Sequence, residues 1–253
     1  MKKIVGIIPA RFASTRFPGK PLANIGGLSM IERVYCQAKK ASSLADVIVA
    51  TDDSSIEREV KRFGGRVCLT SPAHPSGTDR CAEVLGSLQL ECDGIVNIQG
   101  DEPFIDPRQI DLLSSCFLDP RTQLATLVRK IASPDILFNP NSPKVIIDKD
   151  GFAIYFSRHP LPYIRGVAED KWLSHHTFFQ HIGIYGYTPD MLRTITQLPP
   201  SALERAESLE QLRWLDSGLK IKTAVTHFET IAIDTPEDLE RVVATLNQAS
   251  NQS

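Results

Sequence analysis

The sequence lacks several features that would assign a function at once. Its five cysteines are odd in number and none has CxxC spacing, so neither a disulfide framework nor a zinc site is indicated. It contains neither the phosphate-binding GxxxxGKS/T motif nor the dinucleotide-binding GxGxxG. No nucleophile elbow or Ser-His-Asp arrangement is visible, so covalent catalysis is unsupported. The net charge of −2 argues against a nucleic-acid-binding protein.

Long apolar runs are also missing. None approaches the ~20 residues that a membrane-spanning helix needs. Two lysines after Met1 lead directly into a strand pattern, and we expect no signal peptide. We therefore expect a soluble, cytoplasmic protein with reduced cysteines. Its 253 residues, 42% of them hydrophobic and 23% charged, suit one large domain with a proper core.

The first 130 or so residues alternate between strand and helix patterns. Strands are predicted within 3–8, 46–53, 64–70 and 93–103; helices are predicted at 30–41, after a cap at Ser54 or Ser55, and at 80–90. Such alternation with short connections predicts right-handed βαβ units and a mostly parallel sheet.

The pattern changes after about residue 130. We predict a β-hairpin around 149–151, a strand at 181–187, helices at 189–196 and 203–217, a strand at 220–228, and a short strand that leads into a C-terminal helix. We expect a single domain over 1–253, made of parts at about 1–130, 131–230 and 231–249.

The loop after the first strand is unusual. "IIPARFASTRFPGKPL", residues 7–22, holds Arg11, Arg16 and Lys20 but no carboxylate. Small residues such as Ser14 and Gly19 leave the backbone N–H groups accessible, and cations together with such donors suit a polyphosphate. The alternative is a solvated basic loop, but its three prolines stiffen the segment, as preorganised donors require.

Two aspartates follow predicted strands. Asp101 lies in "QGDEP" and Asp234 in "IDTPED", and at the carboxyl edge of a sheet beside a polyphosphate they would suffice to hold Mg²⁺. Asp234 could instead cap the last helix; we expect Thr235 to be the cap, with Asp238 completing a capping box. Glu102 is expected either to support the site or to be exposed.

The stretch "SGTDR", residues 76–80, joins a strand to a helix. Gly77 would let the backbone approach a flat ligand such as a nucleobase, but a helix cap at Thr78 or Asp79 fits equally well. His181 precedes an alternating strand pattern and could be an ordinary strand-end residue.

Nine segments occur in an order that resembles the 3-deoxy-manno-octulosonate cytidylyltransferases, or CMP-Kdo synthetases. They are "PARFASTRFPGKPL", "ATDD", "SGTDR", "NIQGDEP", "FNPN", "YFSR", "HIGIYGY", "LEQLR" and "IDTPEDLERV". The resemblance runs from about residue 4 to residue 245. It implies an α/β nucleotide-diphospho-sugar transferase fold of the GT-A-like kind, with a smaller hairpin or lid and dimerisation insertion. It also implies a homodimer with Mg²⁺ as cofactor. The implied reaction joins CTP and Kdo to give CMP-Kdo and pyrophosphate, for lipopolysaccharide synthesis.

The resemblance also implies roles for particular residues. The catalytic residues would be Lys20, Arg11, Asp101 and Asp234, of which Asp101 and Asp234 would bind the metal. CTP would contact Pro9, Ala10, Arg11, Ser14, Arg16, Lys20, Ser76, Gly77, Thr78, Arg80, Gln99 and Asp101. The sugar acid would contact Gln99, Arg158, His181, Tyr185, Glu210 and Gln211, with Gln99 between sugar and nucleotide.

Three alternatives remain. A cytidylyltransferase for another sugar acid, such as sialic acid or an amino-Kdo, would share the first loop, although "YFSR" and "GIYGY" argue against sialic acid. A sugar-1-phosphate nucleotidyltransferase would need a GGxGxRxxP-type loop that this sequence does not contain. A non-catalytic nucleotide-binding regulator should have lost Lys20, Asp101 or Asp234, and all three are present.

Overall fold

The computed structural model describes residues 2–13, 17–229 and 232–250. The chain divides into two compact units, the first formed by Met1–Asp111 and Phe228–Ser253 and the second by Leu112–His227. Within the described residues no helix combines the length and the apolar composition needed to cross a bilayer.

The strands, in chain order, are β1 (Ile4–Ala10), β2 (Asn24–Ile25), β3 (Leu28–Ser29), β4 (Leu44–Thr51), β5 (Arg66–Leu69), β6 (Gly94–Asn97), β7 (Leu124–Lys130), β8 (Lys144–Ile147), β9 (Ala153–Ser157), β10 (Phe179–Tyr187) and β11 (Lys222–Val225). The α-helices are α1 (Met30–Ala38), α2 (Ser54–Arg62), α3 (Gly77–Ser87), α4 (Pro107–Ser115), α5 (Pro134–Phe138), α6 (Trp172–His175), α7 (Pro189–Ile195), α8 (Ala202–Glu207), α9 (Gln211–Asp216) and α10 (Pro236–Ser250).

The first unit is built on a parallel sheet. β1 pairs in parallel with β4 on one side and β6 on the other, and β5 extends the sheet beyond β4. Ile7 and Ile8, which alternate across the sheet, are both fully buried, as expected for a strand covered on both faces. The predicted parallel α/β architecture is confirmed here, and the carboxyl ends of β1, β4 and β6 meet at one edge of the sheet.

The helix caps of this unit differ in detail from the prediction. Asp53, rather than Ser54 or Ser55, caps α2, because its carboxylate accepts from the backbone N–H groups of Ser55 and Ile56. Ser76 caps α3 through the Asp79 N–H, so this helix begins earlier than predicted and neither Thr78 nor Asp79 is its cap.

The second unit is a mixed sheet. β7 pairs in parallel with β11 and antiparallel with β10, and β10 continues through β8 to β9. The predicted hairpin around 149–151 is confirmed between β8 and β9, where Gly151 adopts a φ of 79°. A cluster of Ile131, Leu137, Trp172 and Phe178, each at most 3% exposed, forms a local core.

Two elements near the C-terminal part depart from the prediction. The helix predicted at 203–217 is two helices, α8 and α9, separated where Ser208 adopts the left-handed conformation with a φ of 51°. Residues 232–235 precede α10 without forming a strand. Ile233 is nevertheless fully buried, in a cluster with Ile25 and Met30 that also packs against α10.

Candidate active site

A cleft of about 260 Å³ lies at the carboxyl edge of the parallel sheet. It brings together most residues that the sequence assigned to the nucleotide and the metal: Pro9, Ala10, Arg11, Lys20, Ser76, Gly77, Arg80, Gln99, Asp101 and Asp234. Four lining residues were not predicted: Pro21, His74, Pro75 and Gly100. Thr78 is 3% exposed and does not line the cleft, while Ser14 and Arg16 lie outside the described residues.

Lys20 joins the two predicted metal ligands. Its Nζ lies 2.8 Å from the Asp101 carboxylate and 3.3 Å from that of Asp234. The lysine begins a short 3-10 turn after Gly19, whose φ of 71° is left-handed and whose N–H donates to the Phe12 carbonyl at 3.0 Å. The loop is thus closed by its own backbone, and the lysine side chain, 14% exposed, enters the cleft.

Asp101 and Asp234 are also linked through the backbone. The Ile233 N–H donates to the Asp101 carbonyl at 2.9 Å, which ties the segment before α10 to the segment after β6. The Asp238 carboxylate accepts from the N–H groups of Asp234 and Thr235, both at 3.0 Å, and Thr235 Oγ1 accepts from the Asp238 N–H at 3.3 Å. The predicted capping box is confirmed, with Thr235 as the cap.

Two glycines allow the backbone segments of the cleft to meet. A Cβ on Gly100 would lie 2.7 Å from the Pro9 carbonyl oxygen, a contact that real Cβ atoms essentially never make. A Cβ on Gly77 would lie 3.2 Å from the Pro9 ring. The end of β1 therefore needs glycine at position 100, whereas a side chain at position 77 would require the Pro9 ring to shift by a few tenths of an ångström.

Arg80 is a buried residue that lines the cleft, with 4% exposure. Its guanidinium donates to the Asp52 carboxylate at 2.8 Å and to the Thr70 hydroxyl. Asp52 and Thr70 follow β4 and β5, so two neighbouring strand ends hold the arginine. No role was predicted for Asp52.

Glu102 is buried, with 7% exposure, so of its two predicted alternatives the exposed one is wrong. Burial, followed by the negative charge of Asp101, raises its pKa to about 8. This carboxyl group is therefore mostly neutral at pH 7.

Two carboxylates of the cleft lie close enough together to bind a hard cation. They come from separate segments, and both contact the ammonium of Lys20. In the described part of the chain, no cluster of three or more His, Cys, Asp or Glu side chains could hold a metal. The two aspartates fit Mg²⁺, which takes few protein ligands and completes its coordination with water and phosphate oxygens.

Four predicted sugar contacts lie in the second unit near one aromatic cluster. The His181 ring lies 5.3 Å from Tyr185, and Tyr185 lies 5.1 Å from Trp214, measured between ring centroids. Burial lowers the pKa of His181 to about 3; burial, then Tyr187 and Glu210, raises the pKa of Tyr185. Gln211, 3% exposed, lies on the helix that carries Trp214.

Arg158 is the fifth predicted sugar contact in this unit. It donates through Nε to the Glu207 carbonyl at 2.6 Å, through Nη1 to Pro140 at 2.9 Å and through Nη2 to Ser208 at 3.2 Å. Among the described residues, three of its five N–H donors contact backbone carbonyls, two at the end of α8 and one at Pro140, and the other two have no protein acceptor.

The known proteins that are similar to this chain agree on its family. A family model described as cytidylyltransferase matches residues 5–221. A 3-deoxy-manno-octulosonate cytidylyltransferase of Cytophaga hutchinsonii is 60% identical over 243 residues, 96% of this chain and 97% of the relative. One from Parabacteroides distasonis is 58% identical over 250 residues, 97% and 99% of the two chains.

A solved structure extends the similarity to the fold. It is a CMP:2-keto-3-deoxy-manno-octonic acid synthetase complexed with CTP, 42% identical, with a TM-score of 0.89 over 98% of this chain and 99% of that chain. The predicted nucleotide-diphospho-sugar transferase-like fold is thereby confirmed. The chain belongs to the cytidylyltransferase family and, within it, to the 3-deoxy-manno-octulosonate cytidylyltransferases.

Proposed function

We propose that this chain activates Kdo with CTP: the anomeric hydroxyl of Kdo attacks the α-phosphorus in line, and CMP-Kdo and pyrophosphate form. The observation that carries the proposal is the convergence of Lys20, Asp101 and Asp234 in one cleft at the carboxyl edge of the parallel sheet. That is where open α/β sheets bind ligands. Support comes from relatives of the same activity that align over nearly the whole chain.

The CTP triphosphate would be bound at the end of β1. Arg11 is exposed and lines the cleft with Lys20, so both cations can donate to phosphate oxygens. Preorganised positive charge there offsets the repulsion between two anionic substrates and the charge that develops as pyrophosphate leaves. Ser14 and Arg16 remain predicted contributors.

Mg²⁺ would be held by Asp101 and Asp234, with its remaining ligands from water and phosphate. When bound, such an ion supplies charge neutralisation at the phosphate oxygens and lowers the pKa of a hydroxyl that it contacts. The two carboxylates would hold the ion at the sheet edge, and the hydrogen bond from the Ile233 N–H to the Asp101 carbonyl ties the two segments that carry them. We expect chelation by EDTA to abolish turnover and added Mg²⁺ to restore it.

The cytosine base would be recognised around Ser76, Gly77 and Arg80, with the backbone of Pro9 and Ala10. The short Gly77–Pro9 approach leaves main-chain atoms available to a flat ring. The guanidinium of Arg80 offers only donors, which match the ring-nitrogen and carbonyl acceptors of cytosine. Gln99 lines the same cleft and is proposed to contact both substrates.

The sugar acid would be bound by Arg158, His181, Tyr185, Glu210 and Gln211. Among the described residues no partner is found for Gln211 Nε2, although this amide is buried. A buried donor of this kind is usually satisfied by a ligand or a water. The two N–H groups of Arg158 that brace no carbonyl could bind a carboxylate.

A homodimer in the cytoplasm, serving lipopolysaccharide synthesis, completes the proposal. Among the described strands, β9 pairs only with β8 and exposes Ile154 at 56%, and the proposed partner would cover this unpaired strand edge. Sedimentation velocity distinguishes a dimer from a monomer directly.

Pyrophosphate release tests the function. The protein is incubated with CTP and Mg²⁺ and with Kdo, an amino-Kdo or sialic acid in parallel. We expect release with Kdo. Release only with sialic acid would contradict the acceptor assignment, and silence with every acceptor from folded, CTP-binding protein would favour a non-catalytic regulator.

A further inference from the structure

Thr126 is a fully buried residue of β7 that faces an irregularity in β10. In the antiparallel register, Ile182 is paired with Leu127 and Tyr185 with Thr126, so β10 carries two extra residues at this point. The bulge turns two carbonyl groups toward the Thr126 hydroxyl. Its Oγ1 lies 3.1 Å from the Ile182 oxygen and 2.8 Å from the Ile184 oxygen.

The same hydroxyl contacts His181, whose Nε2 lies 3.0 Å from Thr126 Oγ1. A hydroxyl has a single proton, and carbonyl oxygens can only accept. If that proton pointed at Nε2, both buried carbonyls would face oxygen lone pairs, which is costly away from water. With the proton on one carbonyl, Oγ1 is free to accept from an Nε2–H group, and this arrangement leaves one carbonyl rather than two facing an oxygen lone pair.

The imidazole is held in place and is uncharged. Phe156 contacts the ring edge to face at 5.1 Å, Tyr185 packs against it at 5.3 Å, and burial keeps its pKa far below neutrality. A neutral imidazole protonated at Nε2 has a bare lone pair at Nδ1. Among the described residues, no hydrogen bond to Nδ1 is found.

We infer that Thr126 is a positioning residue that fixes His181 in the Nε2-protonated tautomer, and that Nδ1 therefore accepts a hydrogen bond from a hydroxyl of the sugar acid rather than donating to its carboxylate. The tautomer follows from the contacts of this chain alone. The identity of the ligand group rests on the proposed function. A carboxylate oxygen would place its own lone pair against the Nδ1 lone pair, which is repulsive. The sugar carboxylate is therefore expected to bind to donors such as Arg158.

Nitrogen NMR of the imidazole tests the tautomer without any substrate. The protein is labelled with ¹⁵N at its histidine rings, and His181→Asn identifies the resonances of His181 among the six histidines. We expect a protonated Nε2 and an unprotonated Nδ1 at neutral pH. A protonated Nδ1 would overturn the inference, whatever the activity.

Kinetics test the consequence. Thr126→Val removes the acceptor for Nε2–H, and we expect the KM for Kdo to rise about tenfold while the KM for CTP stays constant. Thr126→Ser restores the hydroxyl and should bring the KM for Kdo back to within about twofold of the wild type. A purely structural role would instead lower the unfolding midpoint without this substrate selectivity. If Thr126→Val fails to fold, the wild-type spectrum and Thr126→Ser still decide.

The outcomes separate the two proposals. An Nε2-protonated His181 in a protein that ignores Kdo would leave the tautomer standing and refute the proposed acceptor. A Thr126→Val protein with an altered tautomer and an unchanged KM for Kdo would refute hydroxyl recognition by His181.

Discussion

Gly100→Ala is the substitution for which the structure gives the clearest magnitude. The new Cβ would lie 2.7 Å from the Pro9 carbonyl oxygen and 3.7 Å from an Ile8 methyl group. The backbone oxygen belongs to Pro9 of β1, which is paired with Ala50 of β4, so it cannot rotate away as a flexible side chain would. To reach an ordinary contact of 3.4 Å the two segments must separate by about 0.7 Å.

This displacement is expected to affect stability and catalysis together. Overpacking of this kind costs about 1–3 kcal/mol, which leaves a domain of ordinary stability folded. Asp101 directly follows Gly100, so the shift also moves one of the two carboxylates, and sub-ångström misplacement of catalytic groups costs about 10- to 100-fold in turnover.

Gly86→Ala is the matched control. Gly86 lies in α3, and a Cβ there would meet nothing within 4 Å. Alanine is favoured over glycine in a helix, so the control should gain about 0.5–1 kcal/mol and keep its activity. Urea unfolding and pyrophosphate release measure both variants. Wild-type stability and turnover in Gly100→Ala would refute the close approach of β1 to this segment.

Three further predictions concern single side chains. Asp101→Asn should lower turnover on the order of a thousandfold while circular dichroism and the unfolding midpoint stay close to wild type, since Asn is isosteric but binds Mg²⁺ poorly; near-normal turnover would remove Asp101 from the metal site. Lys20→Ala should raise the KM for CTP about 10- to 100-fold and that for Kdo much less; the reverse pattern would move the phosphate site elsewhere. His181, whose pKa is lowered to about 3 from an ordinary 6.5, contributes stability that is full above pH 6.5 and is lost as the pH falls toward 3. At pH 5 the free energy of unfolding of the wild type should be about 2 kcal/mol lower through this histidine. His181→Gln should not show this part of the pH dependence. If urea unfolding gave the two proteins equal pH profiles, His181 would be exposed to water.

The sequence predicted which segments meet at the cleft, because parallel strands bring their carboxyl ends to one edge. Arg11 and Lys20 follow β1 and Asp101 follows β6, so a βαβ pattern already places their segments together. Asp234 reaches the same cleft without a preceding strand, because the Ile233 N–H donates to the Asp101 carbonyl. The cap at Thr235 was predictable for a different reason, because capping is a local interaction over three residues.

Other features depend on contacts that no local pattern reports. Asp52 holds Arg80 across 28 positions, and an Asp-Asp pair gives no sign of which member will do so. Ser208 ends α8 in a left-handed conformation without a glycine or proline to mark it. The bulge in β10 arises from its pairing with β7, so the contact between Thr126 and His181 could not be read from either segment alone.

The most direct test of the central claim follows the phosphorus atoms of CTP. The protein is incubated with Kdo, Mg²⁺ and CTP labelled with ³²P at either the α- or the γ-phosphate. We expect the α-label to appear in CMP-Kdo and the γ-label in pyrophosphate. An α-label recovered as free CMP, or a γ-label transferred to the sugar, would show hydrolysis or phosphoryl transfer instead and would contradict it.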